Sequence, residues 1–209
     1  MLKKDLFGCT ELLERGPTHV IRRDAAQAHF AVRWVARRLL AREARALAAL
    51  DGVHGVPKLM RADRVVLERS YIPGKPMQEG KPTDPNFYKA AAQLLRKLHR
   101  LNVVHNDLAK EPNILVSADG SPAIIDYQLA WFKPARGRLF RILAREDIRH
   151  LLKHKRTYCA HRLTTRETQI LASPSTISRI WSQTGKRIYL LVTRGILGWR
   201  DREGAGDRF

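Results

Sequence analysis

The sequence predicts an α+β fold with a strand-rich front and a helical back, on three observations. Up to about residue 130, short β-branched runs alternate with long helical periodicities. Asn113-Ile114-Leu115-Val116 and Ala123-Ile124-Ile125-Asp126 flank a turn containing Asp119-Gly120, which reads as a hairpin with polar groups at its open ends. From Arg136 onward the pattern is helical and basic. At 209 residues and 44% hydrophobic content, the chain can build one compact domain with an elaborated tail, without disulfide staples.

The elements follow in order. His19-Val20-Ile21-Arg22-Arg23 is a short strand. A helix is expected from about His29 to Leu50, stopped by Asp51-Gly52, with a stripe of Val32, Val35, Leu39, Ala46, Leu47 and Leu50. Steps along that stripe land on Glu43, and a carboxylate at a core position requires a cation nearby. Val65-Val66-Leu67 is a strand, and Ile72-Pro73-Gly74 suits an extended connection. Asp84 as N-cap and Pro85 at the first helical position open a helix that places Phe87, Ala91, Leu94, Leu95, Leu98 and Leu101 on one face. After the hairpin, Arg136 to Arg156 is an amphipathic helix. Leu139, Leu143, Ile148, Leu151 and Leu152 form its apolar side, and Arg138, Arg141, Arg145, Arg149, Lys153 and Lys155 spread over the rest. Thr164 and Glu167 have capping-box spacing for a short helix through Leu171, and Ser173-Pro174-Ser175 ends it. Arg187 to Trp199 is apolar between cations, with Trp181, Tyr189 and Trp199 available to pack.

Composition excludes several classes. Two cysteines, Cys9 and Cys159, make no disulfide framework. The charged start Met1-Leu2-Lys3-Lys4-Asp5 is not a secretory leader, and no apolar run approaches the roughly 18–20 residues of a membrane span. A cytoplasmic location is expected, with peripheral contact at the inner membrane face. The net charge of +19 asks for an anionic partner, and it is uneven: 21 basic against 14 acidic side chains in residues 1–131, 18 against 6 in 132–209. Nucleic acid ranks last among such partners, because no reading motif or aromatic stacking platform is present.

His105-Asn106-Asp107, Asn113 and Asp126 stand at the ends of short apolar segments, within about twenty residues of one another. The hairpin brings Asn113 and Asp126 together. An amide oxygen and a carboxylate so placed suit Mg²⁺, a hard ion that bridges nucleotide phosphates. Asp107 is then placed to take the proton of a hydroxyl being phosphorylated. Taken singly, each is more often a turn residue; order, spacing and strand context together favour the site.

At these residues the sequence resembles the protein-kinase-like superfamily. His105 to Asn113 is similar to the catalytic loop and Asp126-Tyr127-Gln128 to the D-F-G site. The surrounding text, through Ile125 to Ala130, is similar to small bacterial proteins grouped near the RIO kinases and the lipopolysaccharide-core sugar kinases. The resemblance covers roughly residues 5–155. It implies a two-lobed fold with a small N-terminal β-rich lobe, a reduced helical C-terminal lobe, and ATP and Mg²⁺ between them. The expected division is a catalytic core over 1–155 (N-lobe about 1–68, hinge about 69–75, C-lobe from 76) and a basic helical extension, 156–209, packed on the C-lobe. The resemblance assigns Asp107 as catalytic base, Lys110 as the lysine that neutralises the transferred phosphate, and Asn113 and Asp126 as metal ligands. Glu43 matches the helix glutamate that pairs with a strand cation.

Four departures accompany these matches. The strand cation is Arg23, on the same strand face as Ile21, where a lysine is usual; arginine is larger and not an interchangeable point charge. No G-x-G-x-x-G precedes it. Asp107 to Asn113 is six steps, one more than usual. Asn106 replaces the arginine that in many kinases binds a phosphorylated activation loop, and no A-P-E follows. The stretch Leu67 to Ile72, including Glu68, is proposed as the backbone hinge for adenine, with Ile21 against the ring. The resulting expectation is an ATP- and Mg²⁺-dependent phosphotransferase, foremost an atypical serine/threonine protein kinase. A lipopolysaccharide-core or lipid-linked sugar kinase at an anionic membrane face is the alternative, and a pseudokinase-like nucleotide-binding module the second alternative. The sequence does not indicate an oligomeric state.

Overall fold

The structure is a computed structural model that describes residues 3–16 and 18–173. The stretch Arg187 to Trp199 and most of the expected extension lie outside the described residues. The front is a five-stranded antiparallel sheet of β1 (Lys3–Asp5), β2 (Gly8–Arg15), β3 (Thr18–Asp24), β4 (Leu59–Ala62) and β5 (Val66–Ser70), in the order β1-β2-β3-β5-β4. The β1–β2 turn closes against the end of β3. Gly8 takes φ 126°, and a Cβ there would lie 2.1 Å from the Asp24 carbonyl oxygen, so only glycine fits.

Helix α1 (Arg33–Ala49) crosses between β3 and β4. It starts four residues later than its periodicity predicts. Asp24 accepts a 2.8 Å bond from the Ala26 N–H and caps a 3-10 turn, and a second such turn spans Phe30–Val32. The buried stripe is Ala36, Leu40, Glu43, Ala46 and Leu47, rotated from the predicted Val35 and Leu39, which are only half-buried. Ala36 is small enough to bring the helix close to Ala25, Ala28 and Leu67. The helix stops at Leu50, and Gly52 supplies the positive φ that turns the chain away.

Next come β6 (Lys75–Pro76), the single turn α2 (Met77–Gly80), α3 (Pro85–Arg100), β7 (Val103–Val104), β8 (Ile114–Val116), β9 (Pro122–Ile124), β10 (Trp131–Phe132), α4 (Arg138–Tyr158) and α5 (Thr165–Ala172). Asp84 caps α3 by accepting from the Asn86 N–H at 2.8 Å, and the helix buries Phe87, Ala91, Leu94, Leu95 and Leu98 as its periodicity requires. Leu101 falls past the helix end and is exposed. The hairpin forms with Ile114 opposite Ile124 and pairs with β6; β7 pairs with β10. The main core joins Leu95, Leu98, Leu108, Ile114, Ile124 and Leu151 to Ala46, Leu47 and Leu50 of α1. Each such buried Leu or Ile is worth about 1.5–3 kcal/mol, so the carboxyl end of α1 is anchored to the helical part while its middle faces the sheet.

Helix α4 departs from its expected face. Leu151 and Leu152 are buried, but Leu139 is 46% exposed, and the buried side carries Glu146, Asp147, His154 and Lys155. Lys155 is no solvent-facing cation. The capping box at Thr164 and Glu167 forms, α5 folds back on α4, and Lys155 Nζ sits 2.8 Å from both Glu167 carboxylate oxygens. Cys9 and Cys159 are buried and form no disulfide. No described helix is long and apolar enough to cross a membrane.

Candidate active site

The site is assembled where β3, α1, the loop after β7 and the segment after β9 converge. On β3, alternation puts Ile21 and Arg23 on one face. Their cross-strand partners are Arg69 and Leu67 of β5, so Arg69 shares that face. Glu43 enters from α1 at 0% exposure. Its carboxylate lies 3.2 Å from Arg69 Nε and 3.6 Å from Arg23 Nε, and Arg23 Nη2 reaches Asp126 Oδ1 at 3.3 Å. The contacts to Glu43 are ion pairs and not aligned hydrogen bonds, which leaves its oxygens unspent as acceptors.

Asp126 stands in the left-handed region, φ 64°, just past the end of β9. Burial pushes its carboxyl upward, but Arg23 and Arg69 outweigh that and hold it below the ordinary carboxylate range. Tyr127 follows fully buried, its ring edge-on to His105 at 4.9 Å between centroids. His105 Nδ1 accepts from the Asp107 N–H at 3.3 Å, so Nε2 carries the proton donated to the Ile125 carbonyl at 2.9 Å. One imidazole therefore ties the loop to the strand leading into Asp126.

Asp107 is held from two sides. Asn113 Nδ2 donates to its carbonyl at 2.8 Å and to its Oδ2 at 3.1 Å, and Lys110 Nζ lies 3.1 Å from Oδ2. Burial raises the Asp107 carboxyl above the usual range, with Lys110 pulling against it. The six-step loop is accommodated by a 3-10 turn, Glu111–Asn113, that returns Asn113 to Asp107. With its nitrogen committed to Asp107, Asn113 has its amide oxygen left as the acceptor. Among the described residues no group of three or more His, Cys, Asp and Glu side chains is placed to hold a metal. Asn113 and Asp126 are hard oxygen donors of the kind and number Mg²⁺ uses when phosphates and water complete its shell.

The predicted residues are thus largely brought together: Arg23, Glu43 and Asp126 in one chain of charge, Asp107, Lys110 and Asn113 in another. Ile21 is buried on Arg23's face, directly opposite Arg69. Glu68 is not with them. It lies inside β5, paired with Arg22 on one side and Arg61 on the other, and alternation turns its side chain to the opposite face. There it accepts from Arg15 at 2.9 Å. Of the stretch Leu67 to Ile72, Leu67 to Ser70 lie in β5, and residues 71–74 form the connection that follows it.

Three contributors escaped sequence reasoning. Arg69 was legible as a charge alternating with Leu67 on a buried strand face, the counterpart of the Glu43 anomaly. Asp147 of α4 accepts from the His105 N–H at 2.8 Å and the Asn106 N–H at 2.9 Å, and lies 3.2 Å from His99 Nε2. Its only signal was an acid in a helix dominated by cations. Arg42 donates to the Leu129 carbonyl at 2.8 Å and the Ala130 carbonyl at 3.2 Å, pinning the segment after Asp126 to α1. Asn106 Nδ2 donates to the same Leu129 carbonyl at 3.1 Å.

Comparison with known proteins bears on this arrangement. No curated protein matches the chain. Among solved structures, the Rio2 kinase from Chaetomium thermophilum superposes with a TM-score of 0.55 at 16% sequence identity, covering 71% of this chain and 52% of that one. That likeness is one of fold, a two-lobed kinase-like architecture, and the chain spans about half the length of that structure. The family model of the RIO domain matches residues 15–172, from the end of β2 to the end of α5. The chain belongs to the RIO domain family, and so to the protein-kinase-like superfamily.

Proposed function

We propose that this protein is an ATP- and Mg²⁺-dependent phosphotransferase, and that its acceptor is a serine or threonine hydroxyl of a protein. The observation that supports this most is the convergence of Asp107, braced by Asn113 and Lys110 at 3.1 Å each, with the Arg23–Asp126 pair at 3.3 Å. A binding scaffold does not require a general base, a phosphate-neutralising lysine and two hard oxygen ligands at once.

Asp107 in its carboxylate form takes the proton of the acceptor hydroxyl as that oxygen bonds the terminal phosphorus of ATP and the bond to the ADP oxygen breaks. Lys110 offsets charge on the transferred group. Arg23 contributes a forked cation that positions phosphate oxygens, and Glu43 and Arg69 keep it aimed. Asn113 and Asp126 would hold Mg²⁺, which supplies charge neutralisation between the phosphates. Ile21 offers an apolar surface to the base. Because preorganised charge carries this chemistry, small displacements of the braces are expected to be costly.

The test is ADP release with Mg-ATP and a casein-type protein, using wild type, Asp126→Ala and Asp107→Asn, with Mg-ATP binding followed calorimetrically. The expected result is turnover by wild type, loss of roughly 10²–10⁴ in rate for Asp107→Asn with binding retained, and weakened Mg-ATP binding for Asp126→Ala. Wild-type turnover no different from either variant would refute the enzyme reading.

A further inference from the structure

Beside the catalytic loop lies a groove of about 560 Å³ that the phosphotransfer chemistry does not use. One wall is α1, which presents Arg38, Arg42 and Arg45 along it at helical spacing. The opposite side is apolar: Trp131 and Phe132 of β10, and Leu139 and Leu143 from the first turns of α4. Asn106, adjacent to Asp107 in sequence, also lines it. No acidic side chain lines it. Phe132 is 37% and Leu139 46% exposed, so apolar area stands open beside three guanidinium groups.

Two features define what fits. Like charges at this spacing repel, and Arg42 is held below the usual arginine range by burial and by Arg45 and Arg38. Arg42 is half-buried and spent on the Leu129 and Ala130 carbonyls, whereas Arg38 and Arg45 are exposed, Arg45 donating its Nε to the Ala41 carbonyl at 3.2 Å. The occupant must therefore be anionic and also carry apolar groups. Residues 174–209 have the wrong sign, with seven basic against three acidic side chains. The concave shape suits an inserted segment more than a bilayer face. Stacking of bases is disfavoured because Lys133 Nζ already covers the Trp131 ring, 5.1 Å from its centroid.

We propose that this groove docks an acidic peptide segment with apolar anchors, supplied by a protein partner. Acidic side chains meet Arg38 and Arg45, and the anchors cover Phe132, Leu139 and Leu143. Naming that partner the acceptor rests on the phosphotransferase reading, since Asn106, next to Asp107, lines the groove; the docking itself does not.

The experiment measures binding of a fluorescein-labelled peptide that alternates Glu with Leu and Phe to the full chain, alongside its Lys-for-Glu counterpart, phosphatidylglycerol vesicles and a poly-U RNA. Expected are binding of the acidic peptide that weakens with salt and a roughly tenfold or greater loss in Arg38→Glu/Arg45→Glu, with Mg-ATP binding unchanged. A second variant, Leu139→Ser, removes apolar contact without altering charge and should also weaken the peptide. Peptide binding indifferent to both variants overturns the proposal, as does binding of vesicles or RNA that the charge reversal abolishes while the peptide fails to bind. Docking that persists in a chain without turnover would sink the enzyme reading and leave this one standing.

Discussion

Arg69 Nε lies 3.2 Å from the Glu43 carboxylate, nearer than the 3.6 Å of Arg23, the strand cation that the sequence pairs with Glu43. Glu43 therefore has two cations, and Arg23 is released to serve Asp126. Burial holds the Arg69 guanidinium below the usual arginine range, with Glu43 pulling against it. Removing Arg69 leaves a fully buried carboxylate with a single, more distant partner. Arg69→Met is expected to cost about 3–5 kcal/mol in urea unfolding, and Glu43→Gln/Arg69→Met less than the sum of the two single changes. Additive single effects would show that the two groups do not interact.

Asp107 should set the acid limb of the pH–rate profile. Its folded carboxyl is raised, so the base form is present only above the ordinary carboxylate range, and kcat/KM is expected to fall as pH drops through that raised value. Lys110 lowers this carboxyl, so Lys110→Met should move the limb to higher pH besides reducing the rate. A limb that stays in place in Lys110→Met would assign it to another group.

Asp147 braces the loop that carries His105, Asn106 and Asp107. Asp147→Ala orphans the His105 and Asn106 N–H donors, at about 1–3 kcal/mol each, and lets the loop drift. Thermal unfolding should show the loss. Turnover should fall while Mg-ATP binding is kept, and Asp147→Asn, which retains one acceptor oxygen, should be intermediate in both. Equal effects of the two substitutions would contradict the bracing role.

His150 of α4 is pushed down to about 4 by burial first and Lys153 second, against Glu146 and Asp147. The unfolded imidazole binds its proton near pH 6.5 and the folded one resists until about 4. Stability present above pH 6.5 should thus be lost as pH falls toward 4, on the order of 2 kcal/mol after allowing for partial exposure. His150→Gln should flatten that part of a pH-dependent urea series; an unchanged slope would place the proton uptake elsewhere.

The sequence was most informative where a local rule and a chemical requirement coincided. Asp84-Pro85, the Thr164 capping box and the Asp119-Gly120 hairpin depend on residues within a few positions of each other, and all three form. The start of α1 and the buried side of α4 did not follow local periodicity. Capped 3-10 turns displaced the first, and the docking of α5 together with the loop above it turned charged residues of α4 inward.

By itself the sequence determined the class of fold, the loop that carries Asp107 and Asn113, and the hairpin end that carries Asp126, because spacing along the chain is enough to encode those. Tertiary structure decided which charges meet. Strand alternation sent Arg69 to Glu43 and Glu68 to Arg15, and it took packing of α4 beneath the loop to place Asp147 against His105. Such pairings join residues 26 to 53 positions apart, and the low dielectric that makes them strong exists only once the intervening chain has folded around them.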